Sequence, residues 1–227
     1  MSKLEIQETG DGSHTLFSEK FNEIYHSRHG ALQESVHVFI QAGLESVLKQ
    51  KNNINLLEIG FGTGLNAILS IQKISGSKHH IHYTGIEPLP VPFNIIEQLN
   101  YLSSIDDELL HQSYKDLHLS DWNKDTAITT NFTLYKYKGS FEDFSSEKKF
   151  DLVYFDAFAP SKHPEIWDKA VFEKISTLMS KNGVLVTYCA KGQVKRDLKA
   201  SGFIIEKLAG PPGKREMTRA IMNNESK

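Results

Sequence analysis

The sequence predicts one α/β domain built on a doubly wound, mostly parallel sheet. Strand-like apolar runs alternate with helix-like segments along most of the 227 residues, which is typical of parallel sheets. The run at 151–156 is almost entirely apolar, as expected for a strand covered on both faces. A glycine-rich turn ends the first of these strands, at 54–59, and opens the helix that follows. These three observations define the fold class.

The elements follow one another along the chain. Residues 1–50 are interpreted as an N-terminal extension that packs on the core, and apolar spacing predicts a helix over 35–49. Residues 51–227 form the main domain, with an irregular helical insertion at about 101–131. Its strands are predicted at 54–59, 80–87, 132–137, 151–156 and 184–189, and a C-terminal antiparallel hairpin at 203–208 and 218–222. Its helices are predicted at 65–74, about 93–99, 170–179 and 193–200.

Local signals set the ends of these elements. Asn52 and Asn53 end the first helix, and Pro92 closes a proline-rich loop that leads into the helix near 93–99. The Asn-Gly pair at 182–183 and Gly202 each end a helix, because both residue types accept the left-handed conformation of a C-terminal cap.

Composition restricts the class of protein. Hydrophobic residues make up 39% of the chain, enough for a buried core, and the apolar runs are too short to cross a bilayer. The single cysteine, Cys189, excludes an internal disulfide, and the N-terminus lacks an apolar signal-peptide core, so we expect a cytoplasmic protein. His79, His80 and His82 have no acidic residue among them, so no metal site is predicted. A monomer is the default expectation.

The glycine-rich turn at 58–64 reads Glu-Ile-Gly-Phe-Gly-Thr-Gly. Its glycines permit a tight turn and close approach of the backbone to a ligand, and the helix N-terminus directs amide groups at that ligand. Glu87 closes the second strand, where its carboxylate can accept hydrogen bonds from both hydroxyls of a ribose. The two features predict a nucleoside-type cofactor. The Gly-x-Gly-x-x-Gly pattern of dinucleotide folds is absent, since Leu65 stands at its third glycine, but a nicotinamide-dependent oxidoreductase remains an alternative.

The fourth strand ends in Asp156, followed by Phe158 and Pro160. An acidic side chain can hold an amine by its hydrogens, and an aromatic wall attracts a cationic methyl group. An acidic residue followed by aromatic and proline residues resembles this strand end in Rossmann-like amine methyltransferases. That resemblance implies that Asp156 and Phe158 are catalytic groups that orient an amine towards a methyl donor. The alternative is that Asp156 only caps the following turn.

Three stretches together resemble one family. Residues 156–167 read Asp-Ala-Phe-Ala-Pro-Ser-Lys-His-Pro-Glu-Ile-Trp, residues 30–35 read Gly-Ala-Leu-Gln-Glu-Ser, and residues 213–217 read Gly-Lys-Arg-Glu-Met. With the glycine turn, they resemble the methyltransferase domain of bacterial bifunctional enzymes that complete 5-methylaminomethyl-2-thiouridine at the tRNA wobble position, and its stand-alone forms. No flavin-dependent oxidase domain accompanies them in these 227 residues.

The resemblance implies a Rossmann-like class I methyltransferase that uses S-adenosyl-L-methionine, with tRNA as partner and the 5-aminomethyl group of the wobble uridine as acceptor. The cofactor contacts it implies are Glu58, Gly60, Phe61, Gly62, Thr63, Gly64, Asn66, Glu87, Ser140, Phe141 and Asp156. The substrate and tRNA contacts are Tyr25, Gln33, Glu34, Pro160, Lys162, Lys214 and Arg215. Another amine acceptor, on a small molecule or a protein, and a noncatalytic RNA-binding module remain alternatives.

Overall fold

A computed structural model describes residues 3–223, and within this range the strands form two sheets. A small antiparallel sheet joins β1 (Leu4–Glu8), β2 (His14–Ser18) and β3 (Glu23–Ile24). The large sheet has eight strands in the order β10-β11-β9-β8-β4-β5-β7-β6. Its strands are β4 (Asn53–Ile59), β5 (His80–Ile86), β6 (Asp125–Thr129), β7 (Phe132–Tyr137), β8 (Phe150–Phe155), β9 (Met179–Thr187), β10 (Phe203–Ala209) and β11 (Glu216–Met222).

The helices cover both faces of the large sheet. Helix α1 is continuous from Ala31 to Leu48, with a π-helical middle at Val36–Leu44 between α-helical segments Ala31–Ser35 and Glu45–Leu48. The others are α2 (Leu65–Ile74), α3 (Phe93–Ile96), α4 (Glu108–Leu119), α5 (Lys169–Leu178) and α6 (Gly192–Ala200), with a 3₁₀ turn at Pro164–Trp167. Within residues 3–223, none of these helices has the length and apolarity needed to cross a bilayer.

The centre of the large sheet is parallel and reverses its order beside β4. Strands β7, β5, β4, β8 and β9 pair in parallel, whereas the hairpin β10–β11 and strand β6 are antiparallel. The chain runs outward from β4 through β5 to β7, and then returns to β8 on the other side of β4. Such a reversal opens a crevice at the carboxyl ends of the strands, where ligands bind in doubly wound folds.

Alternate residues of the central strands enter two separate apolar cores. Leu56 and Tyr154 pack with apolar residues of α1, α2 and α4. Their neighbours Leu57 and Val153 pack with residues of α5 and α6 on the opposite face. This alternation follows from the two-residue period of a strand, and it holds the ends of β4 and β8 rigidly beside each other.

Three regions differ from the sequence-based expectation. The Asn-Gly pair at 182–183 lies within β9 and does not end a helix, because α5 already ends at Leu178 and the chain is extended from Met179 onward. The insertion contains helix α4 but also strand β6, which was not predicted because its Asp-Thr-Ala-Ile-Thr sequence is polar and lies at a sheet edge. The N-terminal segment contains the predicted helix and, in addition, the small sheet. Strands β1 and β3 of that sheet were not predicted because they are half-buried and carry only a weak apolar pattern. The C-terminal antiparallel hairpin is confirmed.

Candidate active site

The glycine turn lies at the carboxyl ends of β4 and β5. The N–H groups of Gly60 and Phe61 both donate to the carbonyl oxygen of Ile86, at 3.1 and 3.0 Å. Gly60 has φ +96°, and a Cβ atom there would lie 2.4 Å from the carbonyl oxygen of Asp156. Only glycine fits, because the turn must pass against the end of β8 in a conformation that other residues avoid.

A cleft of about 570 Å³ opens beside this turn. It extends from the ends of β4 and β5 to the loop after β8, and it is therefore at the crevice that the strand order creates. Its lining includes nine of the residues predicted to form the site: Tyr25, Gly60, Gly62, Glu87, Ser140, Phe141, Asp156, Phe158 and Lys162.

Glu87 connects the cleft to the glycine turn. Its carboxylate accepts hydrogen bonds from the N–H of Gly62, at 2.9 Å, and from the N–H of Leu89, at 2.8 Å. Burial raises the pKa of Glu87, and the two N–H donors oppose this rise. Each oxygen keeps a second lone pair, so the carboxylate can accept further hydrogen bonds from a ligand in the cleft.

Asn66 bridges two acidic side chains at the ends of β4 and β8. Its Nδ2 donates to Glu58 Oε1 and to Asp156 Oδ2, both at 2.8 Å, and Tyr83 donates its hydroxyl to the other oxygen of Glu58. Burial raises the pKa of Glu58 well above its usual range, and the negative charge of Asp156 adds to this. The amide thus holds Asp156 in place from behind the cleft.

The other atom of the same amide is free to receive a ligand. Asn66 Oδ1 is buried and has no hydrogen-bond partner within residues 3–223. Asn66 lines a void of about 20 Å³, which shares Tyr25, Gly60, Gly62 and Asp156 with the cleft. A buried acceptor without a donor costs about 1–3 kcal/mol, so a cationic donor such as an α-ammonium group fits this position.

Asp156 lies among charged groups of both signs. Its pKa is raised to about 7 by burial and by the negative charge of Glu34, while the hydrogen bond from Asn66 and the positive charge of Lys214 lower it. Glu34 accepts a hydrogen bond from the N–H of Ser27, at 3.1 Å, and forms an ion pair with Lys214. A carboxyl with a pKa near 7 can exchange a proton at neutral pH.

Aromatic rings wall the cleft next to Asp156. The ring of Phe158 lies 4.6 Å from that of Phe21 and 5.1 Å, edge-on, from that of Tyr25. Trp167 donates its indole N–H to the carbonyl oxygen of Phe158 at 2.7 Å and packs on Phe155 in the core. The loop after β8 is therefore held firmly, and it presents an aromatic surface to any group that approaches Asp156.

The opposite end of the cleft is formed by the loop after β7. Ser140 and Phe141 line it, and the hydroxyl of Ser140 donates to Asp143 at 2.8 Å. Lys174 of α5 donates to the carbonyl oxygens of Phe141 and Glu142, at 2.8 and 2.7 Å, and fixes this loop. This end of the cleft therefore combines the aromatic side chain of Phe141 with the hydroxyl group of Ser140.

Thr63 of the glycine turn faces the protein interior. Its carbonyl oxygen accepts hydrogen bonds from Tyr114, at 2.9 Å, and from His118, at 3.1 Å, both on α4. Its hydroxyl accepts a hydrogen bond from Tyr101 at 3.2 Å and lies 3.3 Å from Nε2 of His26. Burial lowers the pKa of His26 and of His118 to about 4, so both are neutral at pH 7.

Several predicted site residues lie outside the large cleft. Phe61 and Thr63 line the small void, whereas Gly64 packs against His118, and Gln33 is exposed on α1. Glu34 and Lys214 form the ion pair near Asp156. Glu58, Pro160 and Arg215 are likewise not part of the cleft lining.

The cleft also includes residues that sequence reasoning missed. Lys20, Phe21, His163, Glu165 and Leu89 also line it. Phe21 was missed because it lies in a turn between two short strands, where an aromatic residue has no periodic neighbours. The family-like segment 156–167 already contained His163 and Glu165, and their position beside Phe158 was the available signal.

Comparisons with known proteins agree on one class. A family model described as S-adenosyl-L-methionine-dependent methyltransferase matches residues 111–223. The tRNA 5-methylaminomethyl-2-thiouridine biosynthesis bifunctional protein MnmC of Leptospira interrogans is 34% identical over 217 residues, which cover 89% of this chain and 33% of that protein. The protein of the same name from Campylobacter hominis is 31% identical over 215 residues, covering 93% of this chain and 32% of that protein.

A solved structure extends the likeness to the fold. The crystal structure of MnmC2 from Aquifex aeolicus superposes with a TM-score of 0.75 and 25% identity, covering 97% of this chain and 70% of that one. The chain spans about a third of the length of the curated bifunctional relatives that it matches.

Proposed function

Because the chain belongs to the S-adenosyl-L-methionine-dependent methyltransferases, with their Rossmann-like fold, we propose that it methylates the aminomethyl group on C5 of the wobble uridine of tRNA. The observation that carries the proposal is the position of Asp156, between the glycine turn and the aromatic wall of Phe158 and Tyr25. The names of its bifunctional relatives supply the tRNA nucleoside. The glycine turn and Glu87 left a nicotinamide-dependent oxidoreductase as an alternative, and the match to a methyltransferase family favours methyl transfer instead.

The residues present fit the cofactor. Asn66 Oδ1, a buried acceptor without a donor within residues 3–223, suits the ammonium of its methionine part, and the backbone of Gly60 and Gly62 allows close approach. Glu87 suits the ribose, and Ser140 with Phe141 the adenine. When bound, the cofactor supplies an electrophilic methyl group on a sulfonium sulfur.

The acceptor must reach that methyl group as a neutral amine. An alkylamine has a pKa of about 10, so it arrives mostly as an ammonium without a free lone pair. Asp156 attracts the ammonium into the cleft, and its own pKa of about 7 lets it take a proton at neutral pH. The nitrogen lone pair can then form the new N–C bond while the bond from that methyl carbon to sulfur breaks and S-adenosylhomocysteine leaves with the electron pair. The proton taken by Asp156 passes from the carboxyl to solvent.

The orientation of the amine lowers the barrier further. The amide of Asn66 fixes one oxygen of Asp156, and the Trp167 hydrogen bond fixes the neighbouring loop, so that the amine is aimed rather than merely bound. Holding two reacting groups in line is worth several kcal/mol of the barrier. The rings of Phe158 and Phe21 exclude water on the acceptor side.

The test uses purified protein, the methyl donor, and tRNA from cells that lack this gene. Nucleoside mass spectrometry should show 5-aminomethyl-uridine derivatives converted to their methylaminomethyl forms. Asp156→Asn should lower turnover by at least about 100-fold, the usual contribution of a positioned acid or base, while binding of S-adenosylhomocysteine by calorimetry stays near that of the wild type. The wild-type rate should also fall as the pH drops below about 7, because Asp156 becomes protonated.

The matched control is Glu173→Gln, which alters an exposed carboxylate paired with Lys169 on α5. It should leave the rate unchanged. If the wild-type protein leaves the tRNA nucleosides unconverted but methylates a small amine or a protein, the acceptor is a different one. If Asp156→Asn is fully active, this residue has no part in the mechanism.

A further inference from the structure

Lys214 is held beside the acceptor end of the cleft by two contacts. It lies in the loop between β10 and β11, and its ammonium forms an ion pair with Glu34, whose side chain is 8% exposed. The same ammonium lies 3.9 Å from the centre of the Tyr188 ring. Tyr188 in turn donates its hydroxyl to the carbonyl oxygen of Ala157 at 2.7 Å, one residue after Asp156. A cation is thus fixed near Asp156 without being bound to it.

Carboxylates surround Asp156, and a nearby cation offsets their effect on the pKa of an acceptor amine. The negative charges of Glu34 on α1 and Glu58 on β4 interact with that of Asp156, while Asn66 on α2 donates to it. The hydroxyls of Tyr83 on β5 and Tyr188 after β9 are also close, and they donate to Glu58 and to the carbonyl oxygen of Ala157. Acidic neighbours raise the pKa of an amine, because they favour its charged form. These carboxylates alone would favour the unreactive ammonium form of the acceptor.

We propose that Lys214 is a positioning residue that sets the charge at Asp156, keeping its carboxylate ionised and the acceptor amine neutral. This inference rests on the proposed amine substrate. A fixed positive charge repels a second one, so the amine loses its proton more easily on entering the cleft. Glu34 and Tyr188 hold Lys214 by its ammonium, which leaves the carboxylate of Asp156 free for the amine.

Lys214 and Arg215 were both predicted to contact tRNA, but the structure places them in different surroundings. The Lys214 side chain is 32% exposed and its ammonium is engaged by Glu34, whereas Arg215 is exposed. Lys214 therefore acts inward, on the reacting groups, and Arg215 remains available to a phosphate. The ion pair also joins α1 to a loop 180 residues further along the chain, so Lys214 lies near Asp156 only in the folded protein.

The decisive measurement is the pH profile of kcat/KM for Lys214→Met and Lys214→Arg. In Lys214→Met the loss of the cation should raise the pKa of both Asp156 and the bound amine. The acidic side of the kcat/KM profile should therefore shift to higher pH by roughly one unit, as is usual when a nearby charge is removed. Lys214→Arg should keep the acidic side near the wild-type position, because the charge is retained. A purely structural role would lower the rate at every pH and leave the acidic side where it is.

A second measurement is independent of the substrate. The carboxyl ¹³C resonance of Asp156 should titrate at higher pH in Lys214→Met than in the wild type, with S-adenosylhomocysteine affinity retained in both. Lys195→Met is the control, since Lys195 forms a similar ion pair, with Glu216, in the same C-terminal region. An unchanged acidic side of the profile and an unchanged titration in Lys214→Met would overturn the inference. If the wild-type protein leaves aminomethylated tRNA unmodified, the proposed function is refuted. The titration of the Asp156 carboxyl resonance then still decides whether Lys214 sets the charge at Asp156.

Discussion

Gly60 shows how one absent methyl group shapes the site. The residue has φ +96°, and the space beside its Cα is filled by the backbone of Asp156. The turn after β4 and the strand end at β8 therefore touch, and together they form one wall of the cleft. A larger residue would separate the two reacting groups by moving this wall.

We expect Gly60→Ala to weaken cofactor binding at least about tenfold. The new Cβ would lie 2.4 Å from the Asp156 carbonyl oxygen, so the turn must shift, and the unfavourable φ adds about 1–2 kcal/mol. Calorimetry should show at least about a tenfold loss of S-adenosylhomocysteine affinity, the equivalent of 1.4 kcal/mol. Gly76→Ala is the control, because Gly76 also has positive φ, at +65°, but has no atom within 4 Å of its would-be Cβ. An affinity for Gly60→Ala equal to that of Gly76→Ala would contradict this account.

At the scale of elements, helix α4 supports the glycine turn from behind. Tyr114 and His118 both donate to the carbonyl oxygen of Thr63, and the side chain of Tyr114 lies edge-on to those of Tyr101 and His118. The insertion that carries α4 is thus part of the machinery that keeps the turn in its binding conformation. Its polar, irregular sequence gave no indication of this role.

Removing one of these supports should loosen the turn without unfolding the protein. Tyr114→Phe deletes the hydrogen bond to Thr63 and should lower the free energy of unfolding by about 0.5–1.5 kcal/mol. It should also weaken S-adenosylhomocysteine binding several-fold, because the unbound turn samples other conformations. Gln112→Ala on the exposed side of the same helix should change neither quantity. Unaltered ligand affinity in Tyr114→Phe would mean that α4 stabilises the fold but not the turn.

At the scale of the whole molecule, the N-terminal and C-terminal segments meet at the acceptor side of the cleft. Phe21 and Tyr25 come from the segment around β3, Glu34 from α1, and Lys214 from the loop of the last hairpin. The central sheet provides the end of the cleft at the glycine turn. The loop after β8 and the N-terminal segment line the end beside Asp156, and Lys214 lies close to it. Lys162 in the cleft lining and Arg215 next to Lys214 are both exposed cations.

We expect these exposed cations to contribute to tRNA affinity and not to cofactor affinity. Lys162→Ala and Arg215→Ala should each weaken tRNA binding and reduce the slope of log K against log salt by about 0.7–0.9, the value for one lost phosphate contact. Lys181→Ala is the control, because Lys181 is exposed near the amino end of β9, away from the cleft. Fluorescence anisotropy at several salt concentrations measures both quantities. Salt slopes equal to that of the wild type would exclude phosphate contacts at these two positions.

The sequence alone was sufficient for the parts of the protein that local patterns control. The alternating strands and helices, the glycine turn with its three glycines at positive φ, and Glu87 at the end of β5 all follow from short-range geometry. Strand β6 and the small N-terminal sheet escaped prediction, because edge strands bury too little apolar surface to carry a clear pattern.

What the sequence by itself determined is the fold class, the turn that suits the cofactor, and the acidic residue at the end of the fourth central strand. What only the tertiary structure decided is the environment of that residue. Asn66 behind Asp156, Phe21 beside Phe158, and Lys214 paired with Glu34 are contacts between distant segments. The physical reason is that charge and burial depend on neighbours in space, and a chain's local pattern specifies neighbours only along its own length.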